Sequence, residues 1–231
     1  KLWATTAQLA HFEGFDKATN GRTALLAFSL ADGRLLERHD LGGPGDVRAL
    51  GDLTVGKDGT VYAADGLTGH VYRLAPGEKE LDELGTRMDF QSAQGMVELS
   101  PGELLVADYL RGLAVIDLKT RKVRFLDHAA DLALDGIDGL IASGDGFVGV
   151  QNGSSPARVI FFTLDKRRQR VRTLTTLAQG ETLDEPTHCV NSPAGLVCLA
   201  FSGWDHFSDD GAPKGGGPVE APRLMRVALP K

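Results

Sequence analysis

Apolar residues along this chain come in short runs of five to seven, alternating with polar ones and separated by pairs rich in Gly, Asp and Pro. That spacing has a period near two and predicts β-strands joined by tight turns. Helical periodicity is almost absent, apart from a short turn expected near Ala129 to Leu134. The strand pattern also repeats. Gly51-Asp52-Leu53-Thr54-Val55, a Gly56-to-Thr60 turn and Val61-Tyr62-Ala63-Ala64-Asp65 are answered by Gln94 to Leu99, a Pro101-Gly102 turn and Leu104 to Asp108. A third copy runs from Asp138-Gly139-Leu140 through Asp145-Gly146 to Val150-Gln151-Asn152, and a fourth from Thr187-His188-Cys189 through Gly195 to Leu199-Ala200-Phe201. The Asp-Gly and Pro-Gly pairs supply the positive φ that a tight reversal needs.

Each copy continues into a third strand, as in His70 to Leu74, Leu113 to Asp117 and Arg158 to Phe162. A more polar fourth strand follows at Lys122 to Phe125 and Arg170 to Leu174, as suits an outer edge. Four antiparallel strands recurring about every 43 to 50 residues predict an all-β fold, a β-propeller of four-stranded antiparallel blades. The chain reads as one domain spanning 1–231, with blades at about 1–45, 46–90, 91–132, 133–180 and 181–231. Leu2 to Thr6 aligns with the second strand of a blade, and Arg223 to Val227 with a third strand. Six blades are therefore expected in the intact protein, with an N-terminal part missing from this chain, roughly 80 to 100 residues on that count.

Composition narrows the partners. A net charge of -6 and an isoelectric point near 5.5 argue against a nucleic-acid groove, which carries a basic stripe. The single basic cluster, Lys166 to Arg172, is expected on a solvated outer edge. No apolar run reaches the roughly 18 residues of a membrane span. The two cysteines, Cys189 and Cys198, flank the turn-forming Asn191 to Gly195. Buried free thiols are the expectation, and a cross-strand disulfide is the alternative if the two are directly opposed. A periplasmic or secreted location is compatible with this pair.

Blade geometry sorts the polar residues. First-strand starts and second-strand ends gather around one mouth of the central channel. The starts supply Gly51, Gln94, Asp138 and Thr187, with Asp52 and His188 one place on; the ends supply Thr6, Asp65, Asp108, Asn152 and Phe201. Connecting loops add His11, Glu13, Asp16, Tyr109, Arg111, Trp204, Asp205 and His206. Such an acidic and amide-rich ring suits a hard cation held by oxygen, calcium foremost. Asp65 and Asp108 are expected to bond the backbone of their turns instead. Asp138 stands out, because a carboxylate at a channel-lining position is costly to desolvate without a cation or donor. The loop Ser202 to Pro222 overhangs the same mouth and reads as a lid or specificity loop.

On Ile137-Asp138-Gly139-Leu140, Gln94-Gly95-Met96, Leu53 to Asp65 and Leu2-Trp3, the chain resembles the senescence-marker-protein/gluconolactonase family of six-bladed propellers. The resemblance implies a divalent metal, calcium above all, held in the channel by a Glu, an Asn and an Asp. Asp138 matches the family Asp and is implied as metal ligand and catalytic base. Gln94 stands where Asn is typical, as the second ligand, and Gly51 where a substrate-side Asn is common. The resemblance thus implies a metal-dependent hydrolase of a lactone or related ester. His188 would assist as an acid/base group, and Asp52, Asn152, Tyr109, Arg111, Trp204 and His206 would contact the substrate. The alternative is a propeller without catalysis that binds a small ligand or a protein at the same opening.

Overall fold

The computed structural model describes residues 1–10, 12, 14–99, 102–208, 210–215 and 220–229. It contains five antiparallel sheets. The first is β1 (Leu2–Ala7), β2 (Arg22–Phe28) and β3 (Leu35–Gly42), and the second is β4 (Leu50–Val55), β5 (Val61–Asp65), β6 (His70–Leu74) and β7 (Asp82–Gly85). The third is β8 (Ala93–Glu98), β9 (Glu103–Asp108), β10 (Gly112–Asp117) and β11 (Val123–Phe125). The fourth is β12 (Ile137–Ser143), β13 (Gly146–Gln151), β14 (Arg158–Leu164) and β15 (Val171–Gln179). The fifth is β16 (Cys189–Ser192), β17 (Gly195–Phe201) and β18 (Arg223–Val227). Every sheet pairs its strands in chain order, so each is a meander.

The sheets stand face to face around their first strands. β4 packs on β8, β8 on β12 and β12 on β16, while β5 meets β8 and β9 meets β12. β1 meets β4 in the way that β5 meets β8, as a second strand against the next first strand. This is a β-propeller, with three four-stranded and two three-stranded blades among the described residues.

The two-residue period explains the packing. Side chains on one strand point alternately to opposite faces, and both faces of each of the three middle blades meet neighbouring blades. Val61 and Ala63 of β5 enter the core between the first and second sheets, while Tyr62 and Ala64 enter the next core along. Leu104 and Val106 of β9 share that second core, and Leu105 and Ala107 face the following one with Ile137, Ile160 and Phe162. Middle strands are therefore buried on both sides, and β5 and β10 read as near-continuous apolar runs. Fourth strands turn more of their residues to solvent, as in β15.

Two details differ from expectation. The basic cluster is divided, since β15 starts only at Val171 and Arg168 lies in the preceding turn. Arg168 and Arg124 both bond Glu103, at 2.8 and 2.9 Å, and so tie the third blade to the fourth. Cys189 and Cys198 are not free thiols but a disulfide. The reason is register. The turn closed by Ser192 and Gly195 sets the cysteines directly opposite, with Cα atoms 4.0 Å apart, near the closest approach antiparallel strands allow. The short turn expected near Ala129 to Leu134 is present, with Leu132 N–H donating to Ala129 O at 3.0 Å. No helix among the described residues is long and apolar enough to cross a membrane.

Candidate functional site

The same irregularity recurs at three first-strand starts. Pairing jumps from Leu50 to Asp52, from Ala93 to Met96 and from Ile137 to Leu140. The jumps leave Gly51, Gln94-Gly95 and Asp138-Gly139 outside the ladders. Such interruptions redirect side chains, here at the channel mouth. Two glycines permit the crowding. A Cβ on Gly95 would lie 2.4 Å from the Leu140 nitrogen, and one on Gly139 would lie 2.4 Å from the Thr187 carbonyl oxygen. First strands of neighbouring blades thus touch backbone to backbone, and Gly139 N–H donates to Thr187 O at 3.0 Å.

Second-strand ends divide the work differently from the sequence alignment. Asp65 and Asp108 are fully buried. Asp65 accepts from the Leu67 and Thr68 N–H groups, and Asp108 from those of Gln91 and Leu110. In the fourth blade the residue paired like Asp65 and Asp108 is Gln151, opposite Ile137. Gln151 anchors its loop through the Ala133 and Asp135 carbonyls and Arg158. Asn152, displaced by one place, is released to the channel side, where its Nδ2 donates to Asp138 Oδ2 at 2.9 Å.

A cavity of about 500 Å³ opens here, lined by Ser92, Gln94, Tyr109, Asp138, Asn152, Glu185, Thr187, Ser202 and Trp204. Burial raises the Asp138 pKa above the ordinary carboxylate value; the nearby His188 and the Asn152 amide oppose the rise, and Asp52 adds to it. Tyr109 is also raised, first by burial and then by Asp138 and Asp205. Gln94 Nε2 donates to Ser92 Oγ at 3.0 Å, and Ser92 donates onward to Gly66 O.

The six residues expected to contact substrate separate. Tyr109, Asn152 and Trp204 line the cavity. Asp52 instead holds His188, Oδ2 to Nε2 at 3.2 Å, linking the second and fifth blades. The carboxylate raises the His188 pKa above that of free imidazole, against a lowering from burial. Arg111 is engaged elsewhere, donating to Asp89 O and lying 3.9 Å from the Phe125 ring. His206 packs edge-on against Phe201 outside the cavity lining. The backbone explains both losses, because each side chain finds a local partner within its own loop or blade.

Glu185 and Ser92 were not expected among the lining residues. Glu185 accepts from Ser202 Oγ at 2.8 Å and from the Asp205 N–H at 2.5 Å, tying the loop before β16 to the loop after β17. Their one sequence signal is position, in loops that blade topology brings to the same face. The loop Ser202 to Pro222 contributes Ser202 and Trp204 to the wall and folds on itself, with Lys214 N–H donating to His206 O. Residues 209 and 216–219 of that loop, with His11 and Glu13, lie outside the described residues.

The metal implied by the sequence meets a mixed result. Among the described residues, no three His, Cys, Asp or Glu side chains cluster as a cation site. Yet Asn152 Oδ1 is buried without a hydrogen-bond partner beside Asp138. A carboxylate and an orphaned amide oxygen are donors that suit a hard cation.

No family model and no curated protein matches the chain. Solved structures do. The chain is similar to a structure of a nidogen/laminin complex, with 15% identity over 90% of this chain and 76% of that one and a TM-score of 0.59. It is similar to regucalcin of Agrobacterium tumefaciens, a calcium-binding protein, with 13% identity over 78% of this chain and a TM-score of 0.55. The Pan2 WD40 domain of Neurospora crassa gives 14% identity over 85% of this chain and a TM-score of 0.54. The chain spans 65% of the regucalcin chain and 51% of the Pan2 domain. Proteins so different in name share with this chain an architecture, and that architecture is the β-propeller.

Proposed function

We propose that this chain is a metal-dependent hydrolase of a lactone or related ester, acting at the channel-mouth cavity. The observation that carries the reading is the Asp138–Asn152 pair, a desolvated carboxylate beside a buried amide oxygen that has no partner. Asp138, Asn152 and Gln94 would hold the cation, calcium foremost, and it would polarise the substrate carbonyl and acidify water. The fold likeness to a calcium-binding protein supports the same reading.

The chain's own groups have separable parts. Asn152 fixes the Asp138 carboxylate by its 2.9 Å hydrogen bond. Asp138, whose pKa burial raises above the ordinary carboxylate value, is suited to take a proton from water at the cavity wall. His188, oriented by Asp52, holds a proton to higher pH than a free imidazole and can return one to a leaving oxygen. Tyr109 and Trp204 supply aromatic surface for the body of a small ligand.

The test is calcium titration by calorimetry alongside hydrolysis of a panel of sugar lactones, comparing wild type with Asp138→Asn. Loss of hydrolysis by about 10²-fold or more is expected for removing a general base, together with weaker calcium binding. Equal calcium affinity and equal turnover in the two proteins would remove Asp138 from the reading. A second reading, ligand binding without turnover, is favoured by the aromatic wall that Tyr109 and Trp204 give the cavity. It predicts saturable quenching of Trp204 fluorescence by ligands that are never hydrolysed. A periplasmic or secreted location belongs to the same proposal, since a Cys189–Cys198 disulfide persists in oxidising compartments.

A further inference from the structure

A second cavity, of about 560 Å³, opens on the same face over the junction of the second and third blades. Its walls are Gly45 to Arg48 before β4, Leu67, Thr68 and His70 around the β5–β6 turn, and Arg87, Phe90 and Gln91 before β8. Gln91 and Leu67 of this lining are chain neighbours of Ser92, which lines the first cavity, and of Gly66, whose carbonyl accepts from the Ser92 hydroxyl.

The two cavities differ in charge. Asp138 and Glu185 line the first, with no Lys or Arg. Arg48, Arg87 and His70 line the second, against Asp46 as its one acidic residue. A locally basic lining is unusual on a chain of net charge -6.

The hydrogen bonds show which donors remain. Arg48 is fixed by Asp46 Oδ1 at Nε and by the Tyr72 hydroxyl at Nη1, each at 2.8 Å. A guanidinium has five N–H donors, so its other edge stays available. Arg87 is exposed and makes no hydrogen bond or ion pair among the described residues. His70 stacks on Tyr72, and its Nδ1 meets Thr68 Oγ1 at 2.8 Å. The Thr68 hydroxyl donates to Asp65 Oδ2, so Nδ1 is the donor in that contact. Beyond the lining, Glu83 is the acid nearest His70, at 3.6 Å from Nε2.

We propose that this cavity binds an oxyanion, the phosphate or carboxylate group of a small ligand, between the fixed Arg48 and the unengaged Arg87. Guanidinium groups match such oxygens in bidentate geometry and favour them over neutral acceptors. Val47 and Leu67, both exposed at the cavity edge, provide apolar surface for the rest of the ligand. The site uses neither Asp138 nor a metal, so it stands or falls apart from the hydrolase reading.

The test titrates inorganic phosphate and, separately, acetate into wild type, Arg87→Gln and Asp46→Asn at low salt, followed by calorimetry. Both substituted side chains are exposed, so the variants are expected to fold. Arg87→Gln should weaken binding about tenfold or more, the effect of losing one charge-assisted pair. Asp46→Asn should tighten it, because the lining loses its one carboxylate, whose charge repels an entering anion and competes with it for Arg48. That gain is a change that mere structural damage does not produce. Tighter phosphate than acetate assigns the site to phosphate-bearing ligands, and the reverse order assigns it to carboxylates. No saturable binding of either anion to wild type overturns the proposal, as does unchanged affinity in Arg87→Gln or weakened affinity in Asp46→Asn.

Discussion

Replacing Gly139 with alanine would probe how closely the first strands approach at the channel. The added Cβ would lie 2.4 Å from the Thr187 carbonyl oxygen and 2.9 Å from His188 Cα, both backbone atoms that cannot rotate away. Relieving that overlap requires the fourth and fifth blades to separate, which costs about 1–3 kcal/mol as an overpacked core does. Separation also stretches the 3.0 Å bond from Gly139 N–H to Thr187 O, worth about 1 kcal/mol. The sum is about 2–4 kcal/mol, or a fall in Tm of about 5–15 °C for a chain of this size. Gly51 supplies an internal control. It also sits at a first-strand start, its φ is not positive, and a Cβ there meets nothing within 4 Å. Urea and thermal unfolding followed by circular dichroism should therefore show Gly139→Ala strongly destabilised and Gly51→Ala near wild type. Gly139→Ala within about 0.5 kcal/mol of wild type, or Gly51→Ala equally impaired, would refute the close approach.

Other outcomes follow from the same contacts. Removing the disulfide as Cys189→Ala/Cys198→Ala should cost about 2–3 kcal/mol on the loop-entropy account, given a sequence separation of 9; melts with and without reductant check this. Asp52→Asn should return the His188 pKa toward that of free imidazole, read from the imidazole proton shifts by NMR. For wild type the sign is definite. A His whose folded pKa is raised contributes stability that is complete below its unfolded pKa and is lost as pH rises through the folded one. Asp138 runs the other way, because its raised pKa means ionisation opposes folding. Asp138→Asn should thus gain stability relative to wild type at neutral pH and lose that advantage in acid, as paired melts across pH would show.

Chain order and the two-residue period determined the blades. Period-two strands, turn pairs and a repeat of fixed length leave few ways to bury both faces of each strand, so the propeller was legible in the residues. Asp65 and Asp108 were legible as turn anchors for the same local reason. Asp138 and Gln94 could be placed at the channel mouth from the repeat alone. Their release from the ladder could not, since it depends on interruptions set by the contact between neighbouring first strands. Alignment set Asn152 beside Asp65, whereas pairing gave that place to Gln151, because register is decided across strands and not along one. The cysteine pair turned on register in the same way. Glu185, the Asp52–His188 contact and the basic second cavity join residues far apart in the chain. Only the packing of blades around one axis brings such residues together, and only there do distance and burial decide which of them is free to act.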